Sequence, residues 1–350
     1  MAIIQPYNPQ SIKQACTILN GAGIIAFGTE TVYGLGGDAG SDKAIASIFQ
    51  MKARPQFNPL IVHIANLAML DQLCDYDSKR LNPVLMQCWP GALSLVLPLK
   101  SNAKLSKLVT AGLDTVAVRM PNHQGALALM NAFGKPIAAP SANPSGKLSP
   151  TCADHVQAGL GEKLDLILDG GACHAGLEST IIDLTDPDSP HLLRLGTHSL
   201  KQLQQALGAK ITLSHSMKID DAGDAASPHP TSPHPTSPHP TSPHPTSPGQ
   251  LLRHYAPSLP LRLDAAAPTS SEAWLGFGAD FNANLSPAPY DLSPNQDYVE
   301  AAANLFKALH YLDQIEGVSG IAVTKFPKAQ NEDQAILRLA ILDRLERGSN

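Results

Sequence analysis

The chain reads as two α/β domains, a larger one built on a mixed sheet followed by a smaller, open, doubly wound one. Short apolar runs alternate with helix-period segments as far as Gly208. A proline-dense tract then interrupts the pattern, with nine of the chain's 30 prolines in the 22 residues from Ser227 to Pro248. Beyond it, the 92 residues from Leu259 to Asn350 resume the alternation. The length of 350 residues agrees, since a domain takes roughly 100–200. A composition of 43% hydrophobic and 16% charged residues excludes a fibrous or wholly disordered chain. No apolar run approaches the roughly 18 residues that a membrane span requires, so no membrane association is expected.

In the first domain, strands are expected at Ile24–Phe27, Leu60–Val62, Leu93–Leu97, Thr115–Met120, Pro136–Ala139, Leu164–Leu168 and Thr180–Leu184, most of them short and buried. Residues 115–120 also alternate, which puts Arg119 on the opposite strand face from Val116 and Val118. Helical periodicity marks Ile12–Leu19, Ser41–Met51, Ala126–Phe133 and Leu200–Leu207. The last of these has Ser199 as N-cap and Gly208 just past its end, so the domain is expected to close at residue 208.

Residues 209–258 form the connection. SPHPT is repeated four times from Ser227 and closed by Ser247 and Pro248. Proline at this density removes backbone donors and holds the preceding residues away from the α region, giving a polyproline-II spacer. At about 3.1 Å per residue, twenty such residues reach roughly 60 Å. Gathering His229, His234, His239 and His244 around a metal costs the spacer entropy, which favours a solvated linker. Residues 259–350 follow, with strands at Leu259–Leu263, Ala273–Phe277 and Gly320–Val323 and helices at Tyr298–Ile315 and Asp333–Leu345. No glycine-rich loop joins a strand to a helix there, so its Rossmann-like shape implies no dinucleotide.

Charge and cysteines narrow the function classes. Residues 1–208 carry 15 Lys+Arg against 15 Asp+Glu, and the remainder carries the whole deficit behind the net charge of −5. Neither half is basic enough to announce a nucleic-acid surface. Five widely spaced cysteines without a CxxC pair argue against structural zinc and disulfides. With no basic and apolar leader in the first ten residues, a cytoplasmic location is expected.

The polar residues gather where strands end. Thr29 to Gly37 pairs hydroxyls and a carboxylate with glycines, and Gly34, Gly36, Gly37 and Gly40 suggest a turn at positive φ. Lys52 and Arg54, with no acidic neighbour in sequence, fit phosphate binding on a loop, near Asn58 and His63. Pro140 and Pro144 pin a tip carrying Ser141 and Asn143, and Gly176–Thr180 leads into another strand. Arg119 and Arg194 are two of only four arginines before residue 209. Catalytic motifs of the Ser-His-Asp, HExxH, Walker A and kinase types are absent from the sequence. Cations, hydroxyls and amides without a nucleophile are the inventory of an enzyme that positions reactants and neutralises phosphate charge.

These strings resemble the YrdC family in its long, two-domain form, whose activity is L-threonylcarbamoyladenylate synthesis. TETVYGLG at Thr29–Gly36, Lys52-x-Arg54 with NPLIVHIA at Asn58–Ala65, and WPGALSLVL at Trp89–Leu97 carry the likeness. TAGLDTVAVRMP at Thr110–Pro121, AAPSAN at Ala138–Asn143 and GLESTIID at Gly176–Asp183 complete it, with a weaker match in SPGQLLRHYAP at Ser247–Pro257. The resemblance implies a twisted mixed sheet with an open concave site, and condensation of L-threonine, bicarbonate or CO2 and ATP to threonylcarbamoyl-AMP and pyrophosphate. It implies magnesium with the ATP, and downstream proteins that transfer the group to tRNA; direct contact with tRNA is left open. Thr31, His63, Arg119, Ala139 and Ser179 match the family's threonine side. Lys52, Arg54, Asn58, Thr115, Ser141, Asn143, Ser149 and Arg194 match its nucleotide side, with Lys52 and Arg54 acting on the reacting phosphates. His254 and Tyr255 match a lid segment. Two alternatives stand beside this: a double-stranded RNA or tRNA-binding module, and a related carbamoyl-adenylate enzyme with another acceptor. The SPHPT array departs from the family pattern, and deleting two units is expected to leave activity largely intact. Lys52→Ala or Arg54→Ala is expected to abolish turnover without moving the thermal midpoint.

Overall fold

The structure, a computed structural model, describes residues 1–55, 57–213, 254–278 and 281–349. The SPHPT array and residues 247–253 of the string before the lid lie outside the described residues.

The larger sheet is mixed. Its strands are β1 (Ile3–Pro6), β2 (Ile25–Phe27), β3 (Gly34–Asp38), β4 (Ile61–His63), β5 (Leu93–Pro98), β6 (Thr115–Arg119), β7 (Ile137–Ala138), β8 (Leu166–Asp169), β9 (Thr180–Asp183), β10 (His191–Arg194) and β11 (Thr212–Leu213). They lie in the order β1-β8-β2-β3-β7-β4-β6-β5-β9-β10-β11, and parallel and antiparallel pairs are interspersed. Helices α1 (Pro9–Asn20), α2 (Asp42–Lys52), α3 (Leu67–Leu73), α4 (Ser78–Cys88), α5 (Gln124–Phe133), α6 (Ala153–Leu160) and α7 (Leu200–Leu207) surround it. Ser199 caps α7 through Gln202 N, and Gly208 ends it in the left-handed region, as its sequence indicates.

The glycine-rich segment is a strand, not the expected turn. Gly34, Gly36 and Gly37 sit in β3 between β2 and β7, and none of them has positive φ. What they supply is room: a Cβ on Gly36 would lie 2.7 Å from the Phe27 ring and 2.9 Å from Ile137 Cγ2.

The second sheet is small and wholly parallel. Strands β12 (Leu261–Ala265), β13 (Glu272–Gly276), β14 (Pro289–Asp291) and β15 (Gly320–Thr324) take the order β12-β15-β13-β14. Helices α8 (Tyr298–Leu312) and α9 (Glu332–Ser349) bury apolar faces against it, and the hydrophobic core runs continuously from the first sheet into this one. The two parts approach closely at Gly176, where a Cβ would meet Ala303 backbone atoms at 2.5 Å.

Register decides what the sheet offers. His63 lies beside Arg119 across β4 and β6, and Ser94 lies beside Arg119 across β5 and β6, so the three share a face. One step along that face come Ile61, Ala117 and Val96, which with Ile181 form a small apolar cluster separate from the main core. Thr115 follows at the far end, opposite Pro98.

Candidate active site

The polar end of this face opens into a recess of about 570 Å³, counting the part open to solvent. Ten of the residues singled out from sequence line it: Thr31, Arg54, His63, Arg119, Ala139, Ser141, Ser179, Arg194, His254 and Tyr255. Strand ends position several of them: β4, β6 and β10 finish at this edge, whereas β7, antiparallel to β4, brings Ala139 alongside Ile61.

Arg119 extends from the last residue of β6. Its Nη1 donates to Thr31 Oγ1 at 2.7 Å, its Nε to Gly91 O at 3.2 Å, and its Nη2 lies 2.7 Å from Glu30 Oε1 as an ion pair. Burial pushes the Glu30 carboxyl up, but the Arg119 charge and the Asn122 amide outweigh it and hold the group low. Nη2 has two N–H groups and meets only Glu30 among the described residues, which leaves a donor for a carboxylate. His63 stands beside it with Nδ1 unpartnered among the described residues. Burial, helped by Arg119, lowers its pKa to about 3, so its imidazole is neutral at pH 7.

The second group is cationic. Lys52 is the last residue of α2, not a loop residue, and is 2% exposed. Its ammonium donates to the backbone carbonyls of Ser141 and Asn143. Arg54 donates to Asn58 O and, at 3.1 Å, to Pro59 O. Arg194 donates to Ser179 O at 2.9 Å and Ser179 Oγ at 3.0 Å. Ser179 Oγ also lies 2.7 Å from Ser94 Oγ, so this hydroxyl joins the Arg194 side to the Arg119 side. None of the three cations has a salt-bridge partner among the described residues. Burial lowers all three pKa values: Lys52 well below the usual lysine range, with Arg54 adding to the effect, and Arg54 to about 10.

The other expected residues sit around this group. Asn58 is fully buried with both side-chain polar atoms unpartnered among the described residues, a costly state that a ligand would relieve. Asn143 instead shapes the loop, since its Nδ2 donates to Pro144 O and Lys147 O and pins the tip. Ser149 Oγ donates to Glu178 Oε1 at 2.5 Å. Thr115 does not line the recess; it shares the face but sits beyond the apolar cluster.

His254 and Tyr255 close one side of the recess. Tyr255 has φ of 64°, its ring meets His254 at 4.0 Å, and Ala256 N donates to Gly146 O. Burial lowers the His254 pKa to about 3, against the Glu178 charge and with help from Lys52, Arg54 and Arg194.

The structure adds residues that the sequence did not single out. Glu30 holds Arg119, Ser94 holds Ser179, and Glu178 is the single carboxylate among the described residues lining the recess. Arg344, from α9, pairs with Glu178 at 3.2 Å. Glu30 and Glu178 stand inside TETVYGLG and GLESTIID, where a carboxylate amid a cationic inventory was the available signal. Nothing in the sequence ties Arg344 to them. No three His, Cys, Asp or Glu side chains form a metal cluster among the described residues, and Glu178 is already taken by Ser149 and Arg344. This donor set does not fit a resident magnesium site.

Two family models match the chain. One described as Telomere recombination covers residues 17–196, and one described as Threonylcarbamoyl-AMP synthase, C-terminal domain covers residues 199–349. The Pyrococcus abyssi Threonylcarbamoyl-AMP synthase is 36% identical over 97% of this chain and 94% of its own length. The chain belongs to the YrdC/Sua5 family of threonylcarbamoyl-AMP synthases, in its long two-domain form. It is accordingly an enzyme of the nucleotidyl-transfer type. The Threonylcarbamoyl-AMP synthase of Bacillus subtilis is 41% identical over 75% of the chain and 68% of its own length. A crystal structure of P. abyssi Sua5 complexed with L-threonine superposes with a TM-score of 0.79 at 33% identity, covering 100% of this chain and 97% of that one. For this member of the YrdC/Sua5 family, no helix among the described residues is long and apolar enough to cross a membrane.

Proposed function

We propose that the protein condenses L-threonine, bicarbonate or CO2 and ATP into threonylcarbamoyl-AMP and pyrophosphate, the activated group then passing to tRNA through downstream proteins. One observation carries the reading: Arg54 and Arg194 line one recess and Lys52 is buried behind its Ser141 wall, none of the three in a salt bridge among the described residues. Buried cations without counter-ions are costly, and a polyphosphate supplies the missing charge. The Thr31, His63 and Arg119 end suits the amino acid, with the Arg119 guanidinium for its carboxylate and the hydroxyls of Thr31 and Ser179 for its side chain.

In the proposed reaction, the threonine amine adds to CO2 and loses a proton, giving a carbamate. A carbamate oxygen attacks the α-phosphorus, and the bond to the β-phosphate oxygen breaks to release pyrophosphate. Lys52 and Arg54 stabilise the charge on the reacting phosphates, and Arg194 and Asn58 orient them. His254 and Tyr255 exclude water, which protects the labile carbamate. Magnesium belongs to the ATP substrate, carried by its phosphates and not by protein carboxylates. The five free cysteines fit a reducing, cytoplasmic location.

The test is pyrophosphate release by the purified protein. It should require ATP, L-threonine and bicarbonate together. Release indifferent to threonine would point to another acceptor, and no release from folded protein that retains double-stranded RNA would point to an RNA-binding module.

A further inference from the structure

The recess belongs mostly to the first sheet, yet one buried group beside it comes from the last helix. Arg344 on α9 is 1% exposed and donates through Nε and Nη2 to Glu178 Oε2 at 3.3 and 3.2 Å. The two residues are 166 positions apart. Glu178 spends its other oxygen on Ser149, and the Arg344 guanidinium lies 5.5 Å from the centre of the Tyr255 ring. Arg344 Nη1 also meets Asp343 Oδ2 at 3.2 Å, and Asp343 is held in turn by Arg347 at 2.7 Å.

Without this partner, Glu178 would draw on Arg194 of β10, one of the cations available to phosphate. Glu178 is the single carboxylate among the described residues lining a recess that otherwise presents arginines, and it is 6% exposed. An unneutralised carboxylate there would repel any phosphate approaching Arg54 or Arg194, with little water to screen it. Ser149 offers it a hydrogen bond but no charge. Compensation that leaves Arg194 available for phosphate has to come from another cation, and Arg344 on α9 supplies it.

We propose that Arg344 is a positioning residue for the nucleotide: across the interface it neutralises Glu178, so that the recess remains net cationic toward polyphosphate. The C-terminal domain thereby contributes to ATP affinity without a residue that touches ATP. The inference rests on the reading that this recess takes a nucleoside triphosphate.

Calorimetric titration of the full chain with magnesium-ATP, and separately with L-threonine, tests it. Arg344→Gln should weaken ATP binding about tenfold or more while threonine binding moves less than about threefold. Glu178→Gln/Arg344→Gln should recover most of the lost ATP affinity, because the double change removes the charge along with its partner. Arg344→Lys should fall between wild type and Arg344→Gln. If Arg344→Gln does not fold, the double variant and Arg344→Lys decide the matter. A double variant as impaired as the single one, or Arg344→Lys no better than a folded Arg344→Gln, overturns the role of Arg344. Equal losses for ATP and threonine overturn it too. Wild-type protein that fails to bind ATP overturns the underlying functional reading, and this inference with it.

Discussion

Arg119 meets Glu30 at 2.7 Å with both side chains almost wholly buried, at 4% and 3% exposure. The resemblance puts Arg119 on the threonine side, and the fold also gives it a permanent carboxylate partner. That partner spares a buried guanidinium from standing alone, while Thr31 and Gly91 fix its orientation.

Arg119→Lys should therefore separate the two substrates. A lysine keeps the charge but cannot make the three contacts at once, and losing one or two charge-assisted hydrogen bonds costs about 1.5–3 kcal/mol each. KM for threonine should rise at least about tenfold while KM for ATP stays within about twofold. Equal changes in both would remove Arg119 from the threonine side.

Lys52 carries a correction. A loop lysine could be truncated without structural cost, but this one is buried and holds the carbonyls of Ser141 and Asn143. Lys52→Ala should abolish turnover and also lower stability, by about 1–3 kcal/mol for each carbonyl left unpaired. Denaturant unfolding measures this; an unchanged midpoint would mean that the loop relaxes to satisfy itself.

The same burial predicts a proton balance. Lys52 has its pKa lowered by burial and by Arg54, and an arriving polyphosphate must raise it again. At alkaline pH, where the lowered pKa leaves part of Lys52 neutral, ATP binding should take up protons, seen as a binding enthalpy that varies with the buffer's ionisation enthalpy. No variation across buffers would show that Lys52 is already charged before binding.

His63 and His254, both with pKa about 3, set a stability profile. In the unfolded chain each takes its proton near pH 6.5, well before the folded protein does. Their contribution is therefore complete above about pH 6.5 and is lost as pH falls toward 3, by about 1.4 kcal/mol per pH unit for each histidine. His63→Asn should flatten the slope of unfolding free energy between pH 4 and 6, and an unaltered slope would contradict the assignment.

Gly176, at φ of 68°, faces backbone atoms of Ala302 and Ala303 in α8. Gly176→Ala must push that helix away and strain its own backbone, costing about 2–4 kcal/mol. Thermal unfolding should show the loss, and ATP affinity should fall with it because α8 and α9 pack together.

Most of the sheet was legible because its strands are short apolar runs bounded by turn residues, and α7 announced both of its ends. Other elements gave no such signal. The glycines of β3 look like a turn until Phe27 and Ile137 are seen pressing against them. Pro83 inside α4 breaks the pattern that would mark a helix. Thr115 carries the right residue type, but Arg119 lies four residues further along the same strand, and the recess opens at the Arg119 end.

The sequence singled out ten residues that line the recess, because strand ends and proline-pinned tips place polar groups at a sheet edge, but Thr115 is not among them. Which charges are neutralised there was decided by tertiary structure alone. Glu30 meets Arg119 across 89 positions of chain and Glu178 meets Arg344 across 166, whereas Lys52, Arg54 and Arg194 gain no such partner among the described residues. Coulomb energy depends on distance in space and on the water excluded between charges, and neither quantity is written in spacing along the chain.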